Sequence, residues 1–155
     1  MDPRILELVD RKIEQMRHFN DITSRIIYED IDGVEELIER RQEIVTAVDG
    51  ISADMRSLIN QQSIDRRNEI KRLLSFEEIS GLTGSMLELS ERIQELKSVT
   101  ETAMETEQRA MAHLEGRRRQ IYEELTDSAK GKKVVNYFGA TAVDVNKGSH
   151  LNSSH

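Results

Sequence analysis

The chain of 155 residues contains no cysteine and no tryptophan, a single proline, and aromatic residues at only 4%. The absence of cysteine excludes a disulfide framework and a metal site built from thiolates, and it is compatible with a reducing compartment. Charged residues make up 33% of the chain, a composition that favours long helices with solvated faces over a compact mixed sheet. We therefore expect a single all-α domain with almost no β-strand.

The sequence also lacks a long apolar run and an excess of basic residues. No stretch approaches the roughly 18 to 20 apolar residues that a membrane-spanning helix needs, and the start, "MDPRILELVDRK", lacks the basic-then-apolar order of a signal peptide. The formal net charge of -7 is opposite to what phosphate binding requires. These absences predict a cytoplasmic protein with no membrane span and no nucleic-acid partner.

Two helices are predicted in the first part of the chain. Asp2 followed by Pro3 is typical of an N-cap and a first helical position, so the first helix is expected over about residues 3–28. The second is expected over about residues 33–60, with Asp32 as N-cap and Glu35 closing a capping box. Apolar residues recur in both at three- and four-residue steps, which places them on one face: Ile5, Val9, Ile13, Met16, Phe19, Ile22 and Ile26, then Val34, Leu37, Ile44, Val48, Ile51, Met55 and Leu58.

A third long helix is predicted over about residues 85–130, with Ser85 as its N-cap. Between the second and third helices, residues 59–75 either extend the second helix or form a short fourth one, and Gly81 and Gly84 mark a loop. The third helix carries the longest apolar line, which consists of Met86, Leu89, Ile93, Leu96, Val99, Ala103, Met104, Ala110, Met111, Leu114, Ile121 and Leu125.

Helices with apolar stripes and short connections predict an elongated antiparallel helical bundle of three long helices, with a short fourth as the open alternative. The bundle domain is expected over residues 1–138 and a flexible, polar C-terminal tail over residues 139–155. Arg41, Thr100 and Glu107 interrupt the apolar lines. We expect these interruptions to weaken the core and to leave the helices incompletely buried along their length.

No pattern in the sequence indicates catalysis, a cofactor or a metal. No His-Glu-x-x-His or Glu-x-x-His spacing occurs among the histidines, which are His18, His113, His150 and His155. Adjacent acidic pairs such as Glu35 and Glu36 project to different sides of a helix, so they do not converge on a substrate. We therefore predict a protein that is not an enzyme and that needs no cofactor.

Two other patterns favour ordinary structural roles. The Arg run at residues 117–119 has Glu115, Glu123 and Glu124 within helical reach, which indicates a salt-bridged face. The methionines on the apolar lines are interpreted as core residues, although a flexible methionine surface that accepts varied helices is the alternative. These are Met16, Met55, Met86, Met104 and Met111.

The candidate functional residues lie at the end of the third helix and just beyond it. The third helix keeps its apolar residues past Leu114, whereas the first two helices are expected to be too short to cover them. An uncovered apolar stripe is typical of a partner-binding surface. The predicted surface comprises Leu114, Ile121, Tyr122, Leu125, Val134, Val135, Tyr137 and Phe138.

The order of these features resembles the FlgN/FliT-like flagellar export chaperones. Three segments carry the resemblance: "ILELVDRKIEQMRHFNDITSRI", "DIDGVEELIERRQEIVTAVDGI" and "RRRQIYEELTDSAKGKKVVNYFGATAVDVNKG". In such proteins the second helix often opens as Asp32, Leu37, Arg41, Gln42 and Ile44 do here. Their ends often combine a Gly-Lys-Lys, an aromatic residue and an apolar-Asp pair, as Lys132, Lys133, Tyr137, Val143 and Asp144 do here.

The resemblance implies a small acidic cytoplasmic chaperone whose client is a flagellar structural subunit. It implies that the chaperone binds an apolar helical segment of a hook-filament junction protein, or of the filament cap for the FliT type, before type III export. It also implies that the client binds the C-terminal part of the third helix, and the export apparatus is a further candidate partner.

Two other classes of function stay open. One is a non-catalytic coiled-coil adaptor or a homodimeric scaffold, in which the end of the third helix would pair with its own copy. The other is an enzyme or a metal-binding bundle, which the missing Glu-x-x-His spacing disfavours.

Overall fold

The structure, a computed structural model, describes residues 1–127. In this part of the chain, helices joined by short loops account for the secondary structure. It contains α1 (Pro3–Arg25), which ends in a 3-10 turn (Ile26–Tyr28), α2 (Ile31–Asn60), α3 (Ile64–Leu74) and α4 (Gly84–Thr126). No β-strand occurs in residues 1–127. The prediction of an all-α helical bundle is therefore confirmed, whereas the predicted tail at residues 139–155 lies outside the described residues.

The helices belong to two compact units. The first unit is Met1–Ala110 and contains α1, α2, α3 and the beginning of α4. The second unit starts at Met111, and the structure describes it as far as residue 127.

Within the first unit, α1 and α2 run antiparallel. The Lys12 ammonium donates a hydrogen bond to the Ser52 hydroxyl over 3.2 Å. Further along α1, the Phe19 ring contacts Arg41 of α2, whose guanidinium lies 4.7 Å from the ring centre. From Lys12 to Phe19 the residue numbers rise along α1, whereas their partners on α2 fall from Ser52 to Arg41. The two helices therefore run in opposite directions, as expected for helices joined by a short connection.

The first part of α4 runs in the same direction as α1. Arg92 donates to the Asp10 carboxylate over 2.8 Å, and one α4 turn later Glu95 forms an ion pair with Arg17. The three long helices are thus arranged up, down and up, with α2 antiparallel to both of its neighbours.

All four helices contribute to the main hydrophobic core of the first unit. The predicted apolar stripes supply most of it, which confirms the three- and four-residue periodicity as the main packing signal. The core consists of Ile5, Leu8, Val9, Ile13, Ile51, Met55, Leu58, Ile59, Ile70, Leu73, Met86, Leu89, Ile93 and Leu96.

Residues 64–74 form a separate short helix, α3, so the short fourth helix is the alternative that the structure adopts. Ser63 caps it by accepting a hydrogen bond from the Arg66 N–H over 3.4 Å. It ends in a Schellman motif, in which the N–H groups of Phe76 and Glu77 donate to the carbonyls of Leu73 and Arg72. Phe76 occupies the left-handed position, with a φ of 62°, where glycine is usual.

Two predicted helix starts are wrong by one or two residues. The second helix begins at Ile31, because the Asp30 carboxylate accepts the Gly33 N–H over 2.8 Å and makes Asp30 the N-cap. Asp32 consequently lies inside the first turn. α4 begins at Gly84, so the proposed cap Ser85 is also inside the helix. Gly84 has a φ of 58°, which lets the chain turn into the helix one residue early.

The Asp30 cap leads to a testable prediction. Asp30→Ala removes the acceptor for the Gly33 N–H and should lower the free energy of unfolding by about 1 kcal/mol. Asp32→Ala, the matched control, removes only an exposed acid near the positive end of the helix dipole and should cost about half as much or less. Urea unfolding followed by circular dichroism measures both, and a larger loss from Asp32→Ala would contradict this cap assignment.

The buried line of α4 differs from the predicted one in the middle of the helix. Met104 is 58% exposed and Met111 is also exposed, so the interpretation of these two methionines as core residues is wrong. The buried positions are Ala103, Thr106 and Ala110. Thr106 is buried without an unsatisfied hydroxyl because its Oγ1 donates to the Thr102 carbonyl over 3.0 Å.

Candidate functional site

The candidate site is the end of α4, from Leu114 to Leu125. Leu114 is half-buried, whereas Ile121, Tyr122 and Leu125 expose 45%, 50% and 36% of their surface. Val134, Val135, Tyr137 and Phe138, the other predicted site residues, lie outside the described residues. The structure therefore describes one half of the predicted partner-binding surface, and within that half the apolar side chains after Leu114 are solvent-exposed.

Helical spacing brings these residues onto neighbouring positions of one surface. Ile121 follows Leu114 by seven residues, and Leu125 follows Ile121 by four, so these three share a face. Tyr122 lies three residues before Leu125 and borders the same face. The Tyr122 carbonyl accepts a hydrogen bond from the Thr126 hydroxyl over 2.6 Å, which helps to satisfy the last turn of the helix.

The surroundings of this face are charged. Arg118 lies 3.5 Å from the Glu115 carboxylate, which agrees with a salt-bridged face at that point of the Arg run. Both side chains are well exposed, so this pair contributes little to stability. An exposed apolar face bordered by charges of both signs can pack against an amphipathic helix and contains no set of groups for proton transfer.

A second line of exposed apolar residues, on α2, escaped the sequence analysis. Ile31, Ile38 and Val45 are spaced seven residues apart and are exposed by 66%, 45% and 38%. Their seven-residue spacing could have indicated this line from the sequence, because apolar residues that repeat every seven positions outside the buried face form a second stripe on a helix. The stripe could be recognised only once the buried seam of α2 had been located.

The interruptions Arg41 and Glu107 pair with each other, contrary to the interpretation that they simply weaken the core. The Arg41 guanidinium lies 2.5 Å from the Glu107 carboxylate, and its side chain is only 13% exposed. The same guanidinium stacks on the Phe19 ring, so one polar layer joins α1, α2 and α4. Thr100, the third interruption, is half-buried.

A cavity of about 190 Å³ lies between the helices of the first unit and is lined in part by Lys12. Burial lowers the pKa of Lys12, and the nearby Asp49 carboxylate partly offsets this effect. The lining is mostly apolar; its charged groups are the Lys12 ammonium and the Arg56 guanidinium, and it contains no carboxylate or imidazole that could act as a base. It consists of Lys12, Ser52, Met55, Arg56, Ile59, Leu74, Phe76 and Leu96.

Searches for a metal site and a membrane span give negative results for residues 1–127. In this range no group of three or more His, Cys, Asp or Glu side chains is placed to hold a metal ion. Likewise, none of the described helices combines the length and the apolar character needed to cross a membrane.

The candidate site is defined by the exposed apolar residues at the end of α4. Leu114, Ile121, Tyr122 and Leu125 form its described part, and the exposure of the last three distinguishes this segment from the buried line of the first unit. Comparison with protein-family models, with curated proteins and with solved structures finds no match to this chain.

Proposed function

We propose that this protein is a cytoplasmic export chaperone that binds an apolar helical segment of a flagellar structural subunit. The observation that carries the proposal is the exposed apolar face of Ile121, Tyr122 and Leu125 on a part of α4 whose other exposed residues are mostly charged. The sequence resemblance to the FlgN/FliT-like chaperones supplies the client class, which is the hook-filament junction proteins.

The proposed mechanism is helix-to-helix packing. An amphipathic segment of the client covers Ile121, Tyr122 and Leu125, and its own apolar stripe is thereby removed from water. A client whose assembly helix is covered in this way does not polymerise before it reaches the export apparatus. The step requires neither catalysis nor a cofactor, because release needs only a competing partner for one of the two apolar surfaces.

The test is a calorimetric titration of the purified hook-filament junction protein into the full chain. The double substitution Ile121→Asp with Leu125→Asp places two charges in the apolar contact and should weaken binding by about 100-fold or more. Leu87→Asp is the matched control, because Leu87 is an exposed apolar residue near the other end of α4. Equal affinities for the wild type and the double variant would remove the proposal.

A homodimeric coiled-coil scaffold is the second candidate. The seven-residue spacing of Leu114 and Ile121 favours it, since a heptad repeat is the pattern by which identical helices pair. Sedimentation velocity separates the two: the scaffold predicts a stable dimer that Ile121→Asp dissociates, whereas the chaperone predicts a monomer that binds one client.

A further inference from the structure

The contact between α2 and α4 in the first unit has one flank that α3 covers only in part. Leu74 and Phe76, at the end of α3, line a cavity together with Met55 and Arg56 of α2 and with Leu96 of α4. The Lys97 ammonium lies 6.0 Å from the centre of the Phe76 ring. The end of α3 therefore covers one end of this flank and contacts both long helices there.

Three exposed apolar residues continue the same flank beyond α3. Val45 and Arg56 lie eleven residues apart, about three helical turns, so Val45 is on the face of α2 that meets the end of α3. Ile38 lies seven residues before Val45, and on α4 Met104 lies seven residues after Lys97. We call Ile38, Val45 and Met104 the uncovered flank.

The ion pair of Arg41 and Glu107 places Val45 beside Met104, whereas Ile38, three residues before Arg41, lies on the other side of the pair. Val45 follows Arg41 by four residues, and Met104 precedes Glu107 by three. Because α2 and α4 are antiparallel, both displacements point in the same direction from the pair, which brings Val45 and Met104 together.

Helix α1 packs on α2 and α4 from the other side of their contact, although its Lys12 side chain also lines the cavity at the end of α3. On α2, the residues Arg40, Glu43 and Ile44 line a groove that α1 shares. On α4, Arg92 and Glu95 form ion pairs with α1. Neither α1 nor α3 therefore covers the uncovered flank. Its three residues are accordingly exposed, and Met104 is the most exposed of them.

The charges next to the three residues of the uncovered flank are mainly acidic. Glu35 lies three residues before Ile38, Asp49 four residues after Val45, and Glu101 three residues before Met104, and all three are exposed. Neither Glu35 nor Glu101 takes part in an ion pair within residues 1–127. Of the nearby cations, Arg41 is bound to Glu107, and Lys97, four residues before Glu101, lies beside the Phe76 ring at the end that α3 covers.

The chain itself shows which kind of element suits this flank. The short helix that covers its other end, α3, is amphipathic, with Ile70 and Leu73 fully buried. Its basic residues outnumber its acidic ones: Arg66, Arg67, Lys71 and Arg72 against Asp65 and Glu69. An amphipathic helix is therefore the cover that this protein already uses beside α2 and α4. Because Arg66 and Arg72 pair with Glu69 and Glu77 of their own segment, the basic character expected of a partner follows from the acidic border of the flank.

We propose that the uncovered flank binds a basic amphipathic helix of a partner protein. The apolar side chains of that helix contact Ile38, Val45 and Met104, and its Lys and Arg residues face Glu35, Asp49 and Glu101. The proposal is independent of the client site at the end of α4, because it includes none of the residues of that site.

The probe is a synthetic, fluorescently labelled peptide of ~18 residues with leucines at three- and four-residue steps and lysines on both borders, long enough for about five helical turns. Two control peptides are used. The first has the same composition in a scrambled order, and the second keeps the leucine pattern but carries glutamate in place of every lysine. Fluorescence anisotropy with the full chain should show binding of the basic amphipathic peptide, and at least about tenfold weaker binding of both controls. Equal binding of the scrambled peptide would overturn the proposal.

Variants then locate the binding site. Ile38→Asp and Met104→Asp should each weaken binding of the basic peptide by about tenfold or more, whereas Leu87→Asp should leave it unchanged. The double variant Glu35→Lys with Glu101→Lys should weaken the basic peptide and strengthen the glutamate peptide. Circular dichroism checks that each variant folds, as expected for exposed positions.

A second copy of this chain is the occupant that the proposal excludes. Sedimentation velocity of the full chain should give the same species for the wild type and for Ile38→Asp. A wild-type dimer that Ile38→Asp dissociates, or peptide binding that neither flank substitution changes, would overturn the proposal.

Discussion

Replacing Leu89 by alanine is expected to lower the free energy of unfolding by about 3 kcal/mol. Leu89 has no exposed surface and belongs to the core to which all four helices contribute. The substitution removes its buried methyl groups and leaves a cavity that residues from several helices would have to move to fill. Chemical unfolding followed by circular dichroism measures the loss.

Leu87→Ala is the matched control, because it makes the same change on the same helix two residues away. Leu87 is exposed, and alanine is the better helix former, so the change in unfolding free energy should stay within about 0.5 kcal/mol. Equal losses from Leu87→Ala and Leu89→Ala would contradict the orientation of α4 in the bundle.

The polar layer is expected to respond asymmetrically to loss of its two members. Glu107→Ala leaves the Arg41 guanidinium, 13% exposed, without its carboxylate and should cost about 1 to 2 kcal/mol. The cost stays below that of a fully buried pair because Glu107 is 44% exposed and water already reaches the pair. Arg41→Met should change stability by only about 0.5 kcal/mol, since methionine can pack on Phe19 and Glu107 can return to solvent.

A double-mutant cycle tests this explanation. In the Arg41→Met background, Glu107→Ala should cost about 0.5 kcal/mol or less, because no buried cation is left without a partner. Unfolding free energies of the four proteins give the coupling between the two residues. If Glu107→Ala is as costly without Arg41 as with it, the two interruptions do not act as a pair.

The three long helices and their inward faces could be predicted because periodicity reports directly on burial, whereas the sequence left the short fourth helix open. The stripes of α1 and α2 point inward as expected, with Met16, Phe19 and Val48 half-buried. The error at the start of α2 arises because two neighbouring residues can each cap the helix. Asp30 and Asp32 are both good N-caps, and the sequence alone contains no term that decides which of them meets the Gly33 N–H.

The middle of α4 could not be predicted because burial there does not follow hydrophobicity. Thr106 is buried and Met104 is exposed, since a small residue that bonds its own helix fits between closely packed helices. The pairing of Arg41 with Glu107 depends on the antiparallel register of two distant segments. Each residue taken alone therefore looks like a flaw, and only the packed structure shows that they are complementary.

The candidate surfaces differ in how far the sequence could locate them. The apolar residues at the end of α4 stand out because they continue a line past the expected length of the other helices. The uncovered flank could not be located in this way. Ile38 and Met104 belong to different helices, and their common exposure follows from which side α1 and α3 occupy.

The central claim is that the end of α4 contacts the client directly. A photo-cross-linking amino acid at position 121, irradiated in the presence of the purified hook-filament junction protein, tests it. We expect a cross-linked product of one copy of this chain and one junction protein from position 121, and none from the same amino acid at position 87. Cross-linking from position 87 alone, or from both positions equally, would contradict the claim.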